Sequence, residues 1–435
     1  MRGLLWSKAT SVPGFARITQ VVVLQQFAGN SRVGRGVFCD EIAAGIPARL
    51  WHFCNNPGSL LRGRVPESCD VGPVAEAAVA DSRAGQQERY SSLRVLVVTS
   101  DVPLVEGGHR VIARSLVRGL RDQGHEAEVL TTPQNRFGRQ VSAYLATSLT
   151  DVSVTGDGHP VDAVISLRYP SYAVRHPRHV VWLNHRLREY YDLWASYRQT
   201  LGPRGRVVQG ARRQILQLLD RRLLRSGRKV FAQSQTIRER LQRWGGVAAE
   251  VLYPPAPQRP YRCDEYDGTI LSVARLQPLK RNETLIEAVA AAPGARARIA
   301  GKGPELERLQ ALAESLAVSE RVEFLGRLSE DRLVAEYARC SAVWYGARAE
   351  DYGLVTLEAF NSSKPVVTCV DSGGPAELVE DDVTGFVVEP AIDEVAAAIR
   401  RLQDPGRAAE LGRAAREVAR RHTWEHAVNT LLGAI

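Results

Sequence analysis

No apolar run in this 435-residue chain approaches the ~18–20 residues a membrane-spanning helix needs. The opening "MRGLLWSKATSVPGF" carries positive charge but has neither a sustained apolar core nor a small-residue cleavage site, so it does not read as a signal peptide. The six cysteines form no C-x-x-C pair and match no histidine spacing of a zinc module. That excludes a zinc ribbon and a dithiol redox centre and suits a reducing cytoplasm. Acids are scarce in one stretch, residues 211–244, which hold ten Arg or Lys against two acids and supply much of the net charge of +9. No aromatic-interleaved RNA motif, zinc finger or convincing helix-turn-helix accompanies those arginines, so no nucleic-acid partner is expected. A solvated helix face and a peripheral contact with an anionic membrane surface remain.

What the chain does have is the composition of a soluble globular protein, 44% hydrophobic and 24% charged, at a length sufficient for two or three domains. Residues 1–92 are loop-rich and show no sustained period. They read as an N-terminal extension dispensable for catalysis. At Leu93 the pattern sharpens. "LRVLVVTS" is a short β-branched run of the kind buried in a parallel sheet, and the amphipathic helix "HRVIARSLVRGLRDQGH" and strand "EAEVLTT" complete a βαβ unit. Further strands are expected at "VDAVISL", "HVVWLN" and "KVFAQS". The proline-rich "YPPAPQRPYRCDEYDG" marks a boundary, and a second βα alternation begins at "TILSVARL". The expected class is α/β, with two doubly wound Rossmann-like domains at 93–256 and 257–415. A closing helix at 416–435 is expected to return to the first of them. Ligands are expected in the cleft between the carboxyl ends of the two sheets.

The segment "EDYGLVTLEAF" sets Glu350 and Glu358 on either side of a glycine-led apolar stretch. Glu350 falls on the loop after the strand "SAVWYGA". Gly353 opens the next helix, where glycine lets backbone approach a ligand. The free N–H groups of Gly353, Leu354, Val355 and Thr356 would form an anion-binding helix start. Glu358 lies too far into that helix to cap it, and a carboxylate there suits paired hydroxyls such as those of a ribose. Glu350 can reach another part of the same ligand. A phosphate between two hydroxyl-bearing ends describes a nucleotide sugar. In "ARLQPLKR", Arg275 and Lys280 can both enter the cleft and offset the charge of a departing diphosphate.

Together "SVARLQPLKRNETLIEAVA", "GKGPELERL", "VEFLGRL", "EDYGLVTLE" and "GGPAELVEDDVTGFVV" resemble the carboxyl-terminal domain of retaining GT-B glycosyltransferases of family 4, and the resemblance extends over roughly 93–435. It implies that Arg275 and Lys280 hold the diphosphate, that Glu358 binds the ribose and that Glu350 contacts the transferred sugar. Gly301 and Gly303 would lie near the base. Gly107 and Gly108 stand where the family has a Gly-Gly loop over donor phosphate and acceptor, and this loop is no G-x-G-x-x-G fingerprint, so nicotinamide binding lacks support. In "VVWLNHRLREYYDLW", His185 takes the place of a histidine facing the reacting sugar, with Arg188 beside it on the acceptor side.

The reaction so implied is a retaining hexosyl transfer from a GDP- or UDP-linked sugar, weakly favouring mannose, to a saccharide or lipid-linked acceptor. It would use neither metal nor cofactor and would proceed in the cytoplasm or on the inner face of its membrane. Two alternatives stay open: a GT-B nucleotide-sugar epimerase, and a non-catalytic protein that binds a nucleotide sugar.

Overall fold

The computed structural model describes residues 92–101, 107–134, 139–225 and 228–435. The extension assigned to 1–92 falls almost wholly outside the described residues. The first domain is a six-stranded sheet of β1 (Arg94–Asp101), β2 (Glu126–Pro133), β3 (Ala163–Ser166), β4 (His179–Leu183), β5 (Val230–Ala232) and β6 (Glu250–Val251). The second sheet holds β7 (Thr269–Val273), β8 (Arg296–Ala300), β9 (Val322–Gly326), β10 (Ala342–Trp344), β11 (Val366–Cys369) and β12 (Gly385–Val388). The spatial orders are β2-β1-β3-β4-β5-β6 and β12-β11-β10-β7-β8-β9, and every pairing between neighbouring strands is parallel.

Strands covered by helices on both faces must be largely apolar, and β3, β4 and β11 are buried along their whole length. The helix Gly108–Asp122 turns Ile112, Ala113, Leu116, Val117 and Leu120 onto the first sheet, a spacing that keeps one stripe inward. The second sheet closes over its own core, in which Leu285, Ile286 and Val289 meet Ile270, Ile299 and Trp344.

In each sheet the chain order reverses beside the first strand, between β1 and β3 and between β7 and β10. Loops leaving the carboxyl ends of such strands diverge to opposite faces and open a crevice for a ligand. That crevice is where the candidate residues gather.

The division at 415/416 needs correction, because one helix, Pro405–Arg420, runs through it and packs Ala415 and Ala419 into the second domain. The chain crosses over afterwards. Thr423 caps the helix Trp424–Leu432, whose Ala427, Val428, Leu431 and Leu432 enter the core of the first domain. Trp424 meets Trp182 edge to face at 6.1 Å and donates from Nε1 to the Ala256 carbonyl at 2.8 Å.

The arginine-rich stretch does not form one solvated face. Arg213 donates to the Tyr190 carbonyl, Arg225 to Gly246, Arg228 to Tyr172 and Val174, and Arg240 pairs with Asp351. Arg221 and Arg222 remain exposed on the helix Pro203–Leu224.

Candidate active site

The loop after β10 carries Glu350 and is pinned by its backbone. The Glu350 N–H donates to the Ser372 carbonyl at 2.7 Å and the Gly374 N–H donates to the Glu350 carbonyl at 3.1 Å. The Arg348 N–H donates to the Leu279 carbonyl at 2.8 Å, which ties this loop to the turn after β7. The short turn Pro278–Lys280 then delivers Lys280, whose Nζ donates to Glu350 Oε2 at 2.6 Å and to the Tyr345 hydroxyl at 3.1 Å. Burial works against the ammonium charge, but Tyr345 and Glu350 outweigh it and hold Lys280 above the ordinary lysine range. Lys280 therefore stays a cation, aimed from β7 at the loop of β10. Arg275, in the same turn, is exposed and close enough to Arg168 of the first domain to repel it.

Gly353 caps the helix Leu354–Asn361 with φ 83°, the left-handed region that favours glycine. The reason for glycine differs from the one expected. A Cβ there would stand 2.6 Å from Cγ of Pro375, so the close approach is to protein rather than to a ligand. At this helix start the Thr356 N–H turns back to the Gly353 carbonyl at 3.0 Å. No described carbonyl accepts from Gly353, Leu354 or Val355, so three of the four expected donors are open. Gly301 and Gly303 likewise answer to packing, since a Cβ would lie 1.8 Å from the Ala274 carbonyl oxygen or 2.1 Å from that of Leu276. The G-K-G loop thus seats directly on the loop carrying Arg275.

Glu358 departs most from the reading of a solvated cleft residue. It is 5% exposed, pairs with Arg259 and accepts from the Tyr337 hydroxyl at 2.8 Å. Burial raises its carboxyl above the usual range, with Arg259 and Tyr337 acting in the opposite direction. Arg259 also grips Glu330 at 3.0 Å. A ribose reaching Glu358 would share the carboxylate with Arg259.

From the first domain, His185 follows β4 and stands beside the end of β3, where the Tyr169 N–H donates to the His185 carbonyl at 3.3 Å. Its Nδ1 lies 2.8 Å from the Arg186 carbonyl, an acceptor only, so Nδ1 carries the proton. Burial and then Arg168 lower its pKa to about 3, so the ring is neutral and Nε2 is an acceptor. Arg188 is bound to Asp192 at 2.6 Å and lies 3.7 Å from Asp351, which makes it part of the joint between the domains. Gly107 precedes the helix Gly108–Asp122 in an extended conformation. A Cβ on Gly108 would meet no described atom within 4 Å, so space there is open.

Two further residues belong to this constellation. Arg168, at the end of β3, is 7% exposed and its guanidinium makes no hydrogen bond or ion pair among the described residues. Burial lowers its pKa to about 10 despite Asp351 and Asp101. His109, next to the glycine pair, is held near a pKa of about 3 by burial, Arg168 and His185, and its buried Nε2 has no hydrogen-bond partner among the described residues. The adjacency of His109 to "GG" was a visible signal. For Arg168 there was none, since an arginine after a strand is commonplace.

The domains are joined just beside this crevice. Glu377 accepts from the Gln235 N–H at 2.7 Å, the Thr236 N–H at 2.6 Å and the Tyr253 hydroxyl at 2.9 Å, so an acid of the second domain caps the helix Gln235–Arg243 of the first.

Two facing doubly wound domains with a cationic, pinned crevice at the switch point define the GT-B class of fold. Residues 258–418, which span the second domain, match the family model described as Glycosyl transferases group 1. Over 169 residues the chain is 37% identical to a D-inositol 3-phosphate glycosyltransferase of Mycolicibacterium smegmatis, covering 37% of this chain and 38% of that protein. Over 171 residues it is 35% identical to a GDP-mannose-dependent alpha-(1-6)-phosphatidylinositol monomannoside mannosyltransferase of Mycobacterium tuberculosis, covering 36% of this chain and 44% of that protein. The chain thus matches about two fifths of the length of these curated relatives. In overall fold it is similar to sucrose-phosphate synthase from Thermosynechococcus elongatus (TM-score 0.61, 19% identity, 78% of this chain and 98% of that one). Anabaena HepE, solved with UDP and glucose, is another such neighbour (TM-score 0.57, 20% identity, 78% of this chain and all of that one).

Proposed function

We propose that the protein transfers a hexosyl residue from a nucleotide sugar to a hydroxyl of a saccharide or lipid-linked acceptor, with retention at the anomeric carbon. The observation that carries this reading is the Lys280–Glu350 contact at the switch point, beside an open helix start at Gly353. A diphosphate laid there would meet Lys280, Arg275 and the N–H groups of Gly353, Leu354 and Val355, fixed positive groups that take up charge as the C1–O bond to the leaving group breaks. Glu350, released from Lys280 as the phosphate arrives, would hold hydroxyls of the transferred sugar. His185 presents a neutral acceptor Nε2 to the same sugar. The acceptor oxygen forms its bond to C1 on the face the diphosphate leaves, and its proton passes to the departing phosphate oxygen. Glu358 serves the ribose and the Gly301–Gly303 loop the base. A mannosyl donor is favoured, since one relative that the chain matches is named as GDP-mannose-dependent.

A peripheral membrane contact belongs to the same proposal. No helix of the described residues is long and apolar enough to cross a membrane. The helix Pro203–Leu224 nevertheless leaves Val207, Val208, Ile215 and Leu218 exposed along one face, with Arg204 before them and Arg221 and Arg222 after. The helix Gln140–Leu149 adds Val141, Leu145 and Leu149 at i, i+4 and i+8. Apolar stripes framed by arginine suit the cytoplasmic face of an anionic bilayer.

The decisive experiment incubates the full chain with GDP-mannose and UDP-sugars, with and without a lipid-linked or saccharide acceptor, and follows nucleoside diphosphate release. Acceptor-dependent release is expected. Acceptor-independent isomerisation would identify an epimerase, and tight donor binding with no turnover would identify a binding protein.

A further inference from the structure

At the amino edge of the first sheet, on the side away from the crevice, a pocket of about 580 Å³ opens between the starts of β4 and β5. Arg175, His176, Arg178, His179, Arg228 and Lys229 line it, Ala434 and Ile435 form another wall, and no lining side chain is acidic, the one carboxylate at the rim being the α-carboxyl of Ile435. Lys229 is engaged by Glu250, which lies outside the lining. The guanidinium of Arg228 is fixed by the Tyr172 and Val174 carbonyls at 2.5 and 3.1 Å, which orient it without neutralising it. His179 is 5% exposed. Its Nε2 meets Ser166 Oγ at 2.8 Å, while its Nδ1 makes no well-formed hydrogen bond among the described residues and has only a weak contact with the Val174 backbone.

These groups work against one another. Burial, Arg228 and His176 hold His179 near a pKa of about 3, and burial and Arg175 lower that of Arg228. Like charges gathered in a concavity destabilise the empty protein and focus a positive potential into the pocket. A multiply charged anion would remove the repulsion, and guanidinium groups match phosphate oxygens two at a time.

We propose that this pocket binds a phosphomonoester or diphosphate group, at a site separate from the crevice and independent of the reaction proposed above. Its volume lies within the roughly 300–1,000 Å³ of small-molecule sites, so it has room for a ligand larger than the phosphate itself. Two sources share this chemistry: a soluble phosphorylated metabolite and a phospholipid headgroup.

Titration calorimetry of the full chain with pyrophosphate, and co-sedimentation with vesicles of phosphatidic acid in phosphatidylcholine, separate the sources. Arg175 and Arg178 are exposed and their side chains make no hydrogen bond or ion pair among the described residues, so Arg175→Gln with Arg178→Gln leaves the fold intact. Losing charged hydrogen bonds should weaken anion binding by about tenfold or more. The expected result is that this variant loses one pyrophosphate binding event, while Arg275→Ala with Lys280→Ala retains it. A vesicle-only loss in the variant, with Arg221 and Arg222 in place, assigns the site to a headgroup. Wild-type binding of both probes by the Arg175/Arg178 variant would overturn the proposal, as would abolition of all pyrophosphate binding by the crevice variant.

Discussion

Replacing Glu358 by alanine tests the second carboxylate of the E-x7-E segment most severely, because the structure gives it a packing role as well as a proposed ribose contact. Its carboxylate is buried between Arg259 and Tyr337, whose hydroxyl donates to it at 2.8 Å and whose ring is fully buried. Truncation strands that hydroxyl, at about 1–3 kcal/mol. It also removes one of the two carboxylates that compensate Arg259. Breaking a buried pair from one side costs about 3–5 kcal/mol, and retention of Glu330 by Arg259 places this case near the lower end. Urea denaturation of the second domain should show a midpoint lowered by the equivalent of about 3 kcal/mol with the slope unchanged. Glu358→Ala combined with Arg259→Met should lose less than the sum of the single changes, since the pair is coupled. Loss of under about 1 kcal/mol in Glu358→Ala would refute the buried-pair argument. Glu358→Gln keeps the shape and an acceptor for Tyr337. It is therefore the variant in which weaker donor binding speaks for the ribose rather than for instability.

Lys280→Ala should lower turnover by ~10² to 10³ with a smaller effect on donor affinity, because leaving-group charge grows in the transition state; turnover within a few-fold of wild type would remove Lys280 from the reaction. Arg168→Met should leave thermal stability unchanged or raised, since it removes a buried charge that makes no ion pair among the described residues, and yet reduce turnover; a marked drop in melting temperature would mean the guanidinium is compensated. His109, His179 and His185 each move from an ordinary value of 6.5 to about 3, so between those values the unfolded chain binds more protons than the native one. Their contribution is complete above pH 6.5 and shrinks as the pH falls, by up to about 1.4 kcal/mol per histidine per pH unit, and urea midpoints at pH 7.5 and 5.5 should differ in that direction. Glu377→Ala should loosen the joint between the domains, read as faster limited proteolysis near Gln235–Arg243 and reduced turnover; unchanged proteolysis would show that the other interface contacts suffice.

Local periodicity was enough to read β1 to β5 of the first sheet, the helix between β1 and β2, and β7 and β10 of the second, because parallel strands buried on both faces must be largely apolar runs and their crossover helices amphipathic. The positions of Arg275, Lys280, Glu350 and Gly353 at strand ends followed from the same pattern, since a residue just past a strand can only emerge at the sheet's carboxyl edge. What the pattern could not contain is partnership across sequence distance. Glu358 is buried because Arg259, from the linker between the domains, folds onto it, and nothing in its helix announces that contact. Arg168 and His109 join His185 only because β1, β3 and β4 lie side by side in the order the tertiary fold adopts. The helix Pro405–Arg420 runs past the expected 415/416 division because Ala415 and Ala419 find a surface on the second domain, and the turn at Thr423 alone releases the chain to the first. The glycines show the same divide: their spacing was legible, but whether each makes room for a ligand or for another loop depends on which backbone packs above it, and only the assembled sheets decide that.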